Sequence, residues 1–232
     1  MCVYFMHTNK LKDPAMQLII GNKNYSSWSL RAWIMMAKSG LDFSETKLVL
    51  DTPEFYAALK GITPSLKVPT LVDGDTVVWD SLAICEYIND AHLAGKAWPA
   101  AVSQRAKARA IACEMHSGFS GVRNEMPMNI RAKRRVELSE QALADIARIE
   151  QIWSEQYEEF AQKGGWLFGQ WSIADAMFLP VVLRFVTYDV KLNEAATSYM
   201  KHVLACEDLK RWIDSALEET DIVTIDEAGE DR

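Results

Sequence analysis

The chain has 232 residues, 49% hydrophobic and 25% charged, which is enough apolar material for the core of a large domain or two small ones. Its net charge is −7, and Glu218 to Arg232 alone holds seven acids and one base, so the remainder is near neutral. That balance argues against a nucleic-acid-binding surface, and no apolar stretch approaches the ~20 residues that span a bilayer.

Residues 1–16 have no clear periodicity, apolar h-region or small-residue cleavage site, and read as a peripheral extension without a secretory signal. "QLIIG" from Gln17 is a short apolar run closed by glycine, a buried-strand pattern. In "NYSSWSLRAWIMMAKSG", Leu30, Trp33, Ile34 and Ala37 recur at helical spacing and Gly40 stops the helix. "TKLVL" (46–50) reads as a second strand, and "PEFYAALK" as a short helix with Pro53 in its first turn. "VPTLVDGDTVVW" predicts a hairpin around Asp73-Gly74-Asp75. "DSLAICEYINDAH" predicts a helix whose start carries Asp80 and Ser81. Strands alternating with helices, then a hairpin, predict an α/β thioredoxin-like domain over 17–92.

Residues 93–101, "LAGKAWPAA", read as a linker. Every later apolar pattern is helical, so 102–220 is expected to be all-α, followed by a solvated acidic tail over 221–232. Ser172 and Asp175 have capping-box spacing and a structural role. The four cysteines and four histidines are scattered without ligand spacing, so no metal site is expected. Isolated thiols of this kind suit a reducing, cytoplasmic compartment, and Cys85 reads as a core residue.

Three places carry chemistry. Tyr25, Ser26, Ser27 and Ser29 put hydroxyls at a helix start, as capping groups or as donors to a ligand held there. Pro69 opens a strand after Lys67 and Val68; it is either an ordinary trans proline or a cis proline that turns the preceding backbone toward a peptide ligand. Asp80-Ser81 can cap its helix, and can also hold the ammonium and carboxylate of an amino-acid end.

Together these stretches resemble the glutathione S-transferase family. "SSWSLRAWIMMAKSG" is similar to the zeta-type "SSCSxRVRIALxLKG". "KVPTLVDGDTVVWDSLAICEYIND" is similar to "VPxLxDGxxxxxSxAIxxYL", and "SIADAMFLPVV" to the family's helix-capping segment. "EMHSGFSGVRNEMPMNIR" looks like a bacterial branch of the family.

The resemblance, which runs from Gln17 to about Glu219, implies glutathione as co-substrate, with no metal. Its γ-glutamyl end would meet Asp80 and Ser81, its cysteinyl backbone Val68 beside a cis Pro69, and a carboxylate Lys67. Its thiol would face the serines. A free thiol titrates near ~8.5, and lowering that by two units needs roughly 2.7 kcal/mol. One charge-assisted hydrogen bond of ~1.5–3 kcal/mol, aided by the helix dipole, suffices.

Ser26 aligns with the zeta-type catalytic serine; Ser27 follows as cap or second donor, and Tyr25 third. Trp28 replaces the zeta-type cysteine, which disfavours both disulfide chemistry and maleylacetoacetate-type isomerisation. Trp28, His116, Arg123, Arg184 and Tyr188 are candidates around the second substrate, with Asn124, Asn129 and Trp166 nearby in sequence. The zeta-type substrate arginine falls at Thr187 here, and Arg184 stands three residues earlier. The implied activity is conjugation of the glutathione thiolate to a small, largely apolar electrophile by a homodimer. A glutathione-dependent isomerase and a non-catalytic binding protein of the same fold are the alternatives.

Overall fold

The computed structural model describes residues 16–232. The expectation for residues 1–15 lies outside the described residues. Met16 already belongs to a strand, pairing with both Phe43 and Asp73.

The N-terminal part runs β1 (Met16–Ile20), α1 (Ser27–Ser39), β2 (Phe43–Lys47), α2 (Pro53–Leu59), β3 (Thr70–Asp73), β4 (Thr76–Trp79) and α3 (Ser81–His92). The sheet order is β2-β1-β3-β4, with β1 parallel to β2 and antiparallel to β3, and β3 antiparallel to β4. The β1-α1-β2 crossover places α1 on one face of this sheet, where Leu30, Ile34 and Met35 are fully buried beside Leu18 and Ile20. Gly40 ends α1 in the left-handed region at φ 70°, a conformation that costs glycine little, and returns its N–H to Ala37 O. The hairpin turns at Gly74 as its sequence requires.

One strand differs from expectation. β2 occupies Phe43–Lys47 rather than 46–50. It is an edge strand with none of its five residues buried, so its sequence, FSETK, need not be apolar. The apolar Leu48 and Leu50 instead leave the sheet and pack with Ile19, Phe55 and Leu59.

The second part contains α4 (Val102–Ser117), α5 (Ser120–Glu125), α6 (Glu140–Phe160), α7 (Ile173–Thr187), α8 (Glu194–Leu204) and α9 (Glu207–Leu217). The helical run from 102 breaks at Gly118-Phe119, and Phe119 is left-handed at φ 56°. α7 is the hub: nearly all its residues are buried and it packs against α1 and α4. Its start is held by a full capping box. Asp175 accepts from Ser172 N and Ser172 Oγ at 2.9 Å each, from Leu167 N at 3.0 Å and from Tyr199 Oη at 3.1 Å. The segment 93–101 is pinned to both parts: Ala97 N donates to Asn89 Oδ1, and Ile173 N to Ala97 O.

The acidic segment is not a free tail: it folds back onto the chain, although most of 221–232 remains exposed. After α9 the chain returns across the loop between β1 and α1, and β6 (Glu230–Asp231) pairs antiparallel with β5 (Arg134–Arg135). Glu219 accepts from Lys23 N at 2.9 Å and Asn24 N at 3.0 Å. Arg131 donates to Glu219 O and to Asp221 O, and Arg134 pairs with Glu227 and Asp231. The acids are drawn in by these arginines and by free backbone N–H groups, which composition alone does not reveal.

Candidate active site

Two adjoining cavities open where α1 begins. One, about 570 Å³, is lined by Tyr25, Ser26, Ser27, Trp28, Lys67, Arg123 and Arg184, among others. The second, about 490 Å³, is lined by Pro69, Trp79, Asp80 and Ser81. Trp28, Ser65, Lys67 and Val68 line both, so the two form one continuous cleft.

In the second cavity the Val68–Pro69 peptide is cis, directly before β3. Asp80 caps α3, accepting from Leu82 N at 2.9 Å and Ala83 N at 3.3 Å, in a left-handed backbone at φ 76°. Its other carboxylate oxygen meets His116 Nε2 at 3.1 Å. Ser81 is fully buried, and its hydroxyl has no protein partner among the described residues. A buried, unsatisfied hydroxyl at a helix start is costly unless a ligand completes it.

The hydroxyls at α1 differ in their engagement. Ser26 is the N-cap; its Oγ accepts from Ser29 N at 3.4 Å and donates to Ser29 Oγ at 2.7 Å. Ser27 Oγ accepts from Arg184 Nη2 at 3.1 Å, which leaves its own hydrogen free. Tyr25 donates to Glu227 at 2.5 Å and accepts from Arg131 at 3.0 Å, and burial and Glu227 raise its phenol above the ordinary value.

The remaining candidates divide. Arg123 and Arg184 line the first cavity. His116 lines neither, but packs edge-on against Trp28 at 5.2 Å and reaches Asp80; burial lowers its pKa. Tyr188 lines neither cavity and ends α7 with its hydroxyl unpartnered, pushed up to about 12 by burial. Asn124 lines the first cavity. Asn129 is spent on structure, bridging Asn24 and Glu227, and Trp166 packs edge-on against His202. Cys85 is buried in the core, where burial pushes its thiol well above the ordinary value.

Several lining residues escaped the sequence reading. Phe55, Tyr56, Val223, Ile225 and Asp226 all face the first cavity. So did Arg31, which is 2% exposed on α1. A single arginine within the apolar run LRAWIMM was the available signal.

Residues 25–91 match the family model described as glutathione S-transferase, N-terminal domain. That stretch is similar to the glutathione S-transferase N-terminal domain. A probable maleylacetoacetate isomerase from Caenorhabditis elegans is 34% identical over 109 residues, covering 47% of this chain and 51% of that protein. Glutathione S-transferase Z1 from Arabidopsis thaliana is 38% identical over 73 residues, 29% of this chain and 33% of that one. The match thus spans about half, or less, of these curated relatives. In three dimensions a glutathione transferase homolog from Burkholderia, solved with bound glutathione, superposes with a TM-score of 0.68 at 20% identity, covering 88% of this chain and 99% of that one. An unclassified glutathione S-transferase from Bombyx mori gives a TM-score of 0.70 at 18% identity, over 87% and 94%. The described residues therefore have the glutathione transferase fold, a thioredoxin-like domain followed by a helical one.

Proposed function

We propose that the protein is a glutathione transferase. The observation that carries this reading is the buried, unpartnered Ser81 hydroxyl beside Asp80 and the cis Val68–Pro69 peptide, in a cavity continuous with the Ser26-Ser27 loop. An amino-acid end finds there a carboxylate for its ammonium, and a hydroxyl and helix start for its own carboxylate. Val68 offers backbone to an extended peptide, and Lys67 a cation for a carboxylate.

The thiol of a tripeptide so bound reaches the start of α1. Ser27 supplies a hydroxyl hydrogen with no internal partner, and Arg184 behind it strengthens that donor. Ser26 contributes by turning its hydrogen from Ser29 to the sulfur. The thiolate then attacks the electrophilic carbon of a second substrate in the first cavity, without a covalent enzyme intermediate. Tyr25 is engaged elsewhere and acts as scaffold. Neither rival reading gains a specific observation from the cleft.

Isothermal titration with glutathione tests the binding half of the proposal. Wild type should bind, and Ser81→Ala should weaken binding about tenfold, the loss of one hydrogen bond to a charged group. Equal affinity in the variant would count against this placement. A homodimer and a cytoplasmic location belong to the same proposal and rest on the resemblance. Light scattering and cell fractionation test them.

A further inference from the structure

A third cavity lies away from the cleft, where the segment 93–101 meets the starts of α4 and α7. It is about 550 Å³ and is lined by Lys96, Arg105, Phe168 and Trp171, among others. A smaller recess of about 180 Å³ is lined by Lys107, Gln156 and Phe160, among others. Gln104 and Phe168 line both, so the two adjoin. They share no lining residue with the cleft at the start of α1.

Gln156 is 1% exposed, and among the described residues neither the nitrogen nor the oxygen of its amide has a hydrogen-bond partner. A buried amide left open in this way is costly, and it can donate and accept at once. The Trp171 indole N–H, in the larger cavity, is buried and unpartnered too. Charge points the same way. α4 begins beside the cavity with no side-chain cap and no acid in its first turn. Its first N–H groups and the positive end of its dipole are therefore open to an anion. Arg105 turns back toward that start, donating through Nη1 to Pro99 O at 3.1 Å and Ala100 O at 2.8 Å. A cation at a helix N-terminus opposes the dipole, and neutral carbonyls do not compensate it. Lys96 adds a second cation, and no acid lines the larger cavity in a chain of net charge −7. Glu159 lines the recess beside Gln156, so an anion belongs at the α4 end.

The ligand these groups describe has three parts. It carries an anion for α4 and a flat ring for Phe168 and Trp171. It also carries a neutral edge with one donor and one acceptor for Gln156. Adenine has that edge: its N6 amino group donates to the amide oxygen and its N7 accepts from the amide nitrogen. Guanine presents two acceptors there, which leaves the amide oxygen unpaired. Phosphate suits a helix start flanked by arginine and lysine. We infer that this cavity binds an adenine nucleotide, with its phosphate on Arg105 and the start of α4 and its base edge on Gln156. The site is separate from the cleft and does not depend on the transferase reading.

The test is calorimetric titration of the full-length chain with adenosine monophosphate, guanosine monophosphate and adenosine, with and without glutathione. Adenosine monophosphate should bind about tenfold tighter than either of the others, the guanine comparison reading the base edge and adenosine reading the phosphate. Gln156→Leu should abolish the preference for adenine over guanine, and Arg105→Gln the preference for the phosphate. Gln156→Leu replaces an unpaired buried amide by an apolar chain of similar size, so its thermal midpoint should stay at or above that of wild type. Glutathione should not compete. No binding of adenosine monophosphate at millimolar concentration, equal affinity for the three probes, or competition by glutathione would overturn the inference. So would preferences unmoved in the folded variants, or a lowered midpoint in Gln156→Leu, which would mean that the amide already has a partner within the protein.

Discussion

Tyr25 donates its phenolic hydrogen to Glu227 at 2.5 Å, across 202 positions of sequence. Arg131 holds the same hydroxyl from the other side and also binds the carbonyls of Glu219 and Asp221. The loop that presents Ser26 and Ser27 is therefore fastened to the end of the chain. This lets the acidic segment shape the first cavity through Val223, Ile225 and Asp226.

Tyr25→Phe should separate scaffold from chemistry. It removes the hydrogen bond donated to Glu227 and the one accepted from Arg131, and unfolding free energy should fall by roughly 1.5–3 kcal/mol in urea denaturation. Thiolate formation by bound glutathione should persist. Its loss would make the phenol a catalytic group.

Glu219→Ala should cost more than its surface-like sequence context suggests. The carboxylate is buried, accepts from Lys23 N and Asn24 N, and pairs with Lys47 at 3.0 Å. Truncation leaves two backbone N–H groups without their acceptor, a cost of ~1–3 kcal/mol. A change below ~0.5 kcal/mol would show that the segment is not fastened there.

Gly121→Ala tests the seating of Arg123. A Cβ at Gly121 would lie 2.6 Å from Ala142 N, a backbone atom of α6 that cannot turn aside. α5 must then shift, at ~1–3 kcal/mol, carrying Arg123 away from Trp28. The same thermal midpoint as wild type would contradict this packing.

The pH dependence has a definite sign. Burial pushes the carboxyls of Asp175 and Asp226 up to about 6, against ~3.9 for an unfolded aspartate. The native state binds their protons more tightly. Their contribution to stability is therefore full below roughly pH 4 and is lost as pH rises through about 6. Glu227 and Asp208, whose pKa values are lowered, act in the opposite direction, so the comparison must be differential. Asp226→Asn should make the stability of the variant relative to wild type rise between pH 4 and 6. A flat difference across that range would show that Asp226 titrates normally.

The legible features were those written locally. The hairpin at Gly74, the α1 face of Leu30 and Ile34, and the Ser172–Asp175 capping box each follow from a few adjacent residues. β2 was displaced because an edge strand can be polar while the apolar Leu48 and Leu50 serve a neighbouring cluster. The anchoring of the acidic segment was not legible because its partners, Arg131, Arg134 and the N–H groups of Lys23 and Asn24, come from distant sequence. The charge around Trp28 was equally hidden, since Arg31, Arg123 and Arg184 meet only when α1, α5 and α7 pack.

The most direct test of the central claim is the ionisation of bound glutathione, followed by the ultraviolet absorbance of its thiolate as pH is raised. The wild-type complex should titrate about two units below the free thiol's ~8.5. Ser26→Ala and Ser27→Ala should each move the value upward, and the double variant should return it close to that of free glutathione. Glutathione that binds but titrates near ~8.5 in wild type, or that fails to bind at millimolar concentration, would contradict the account.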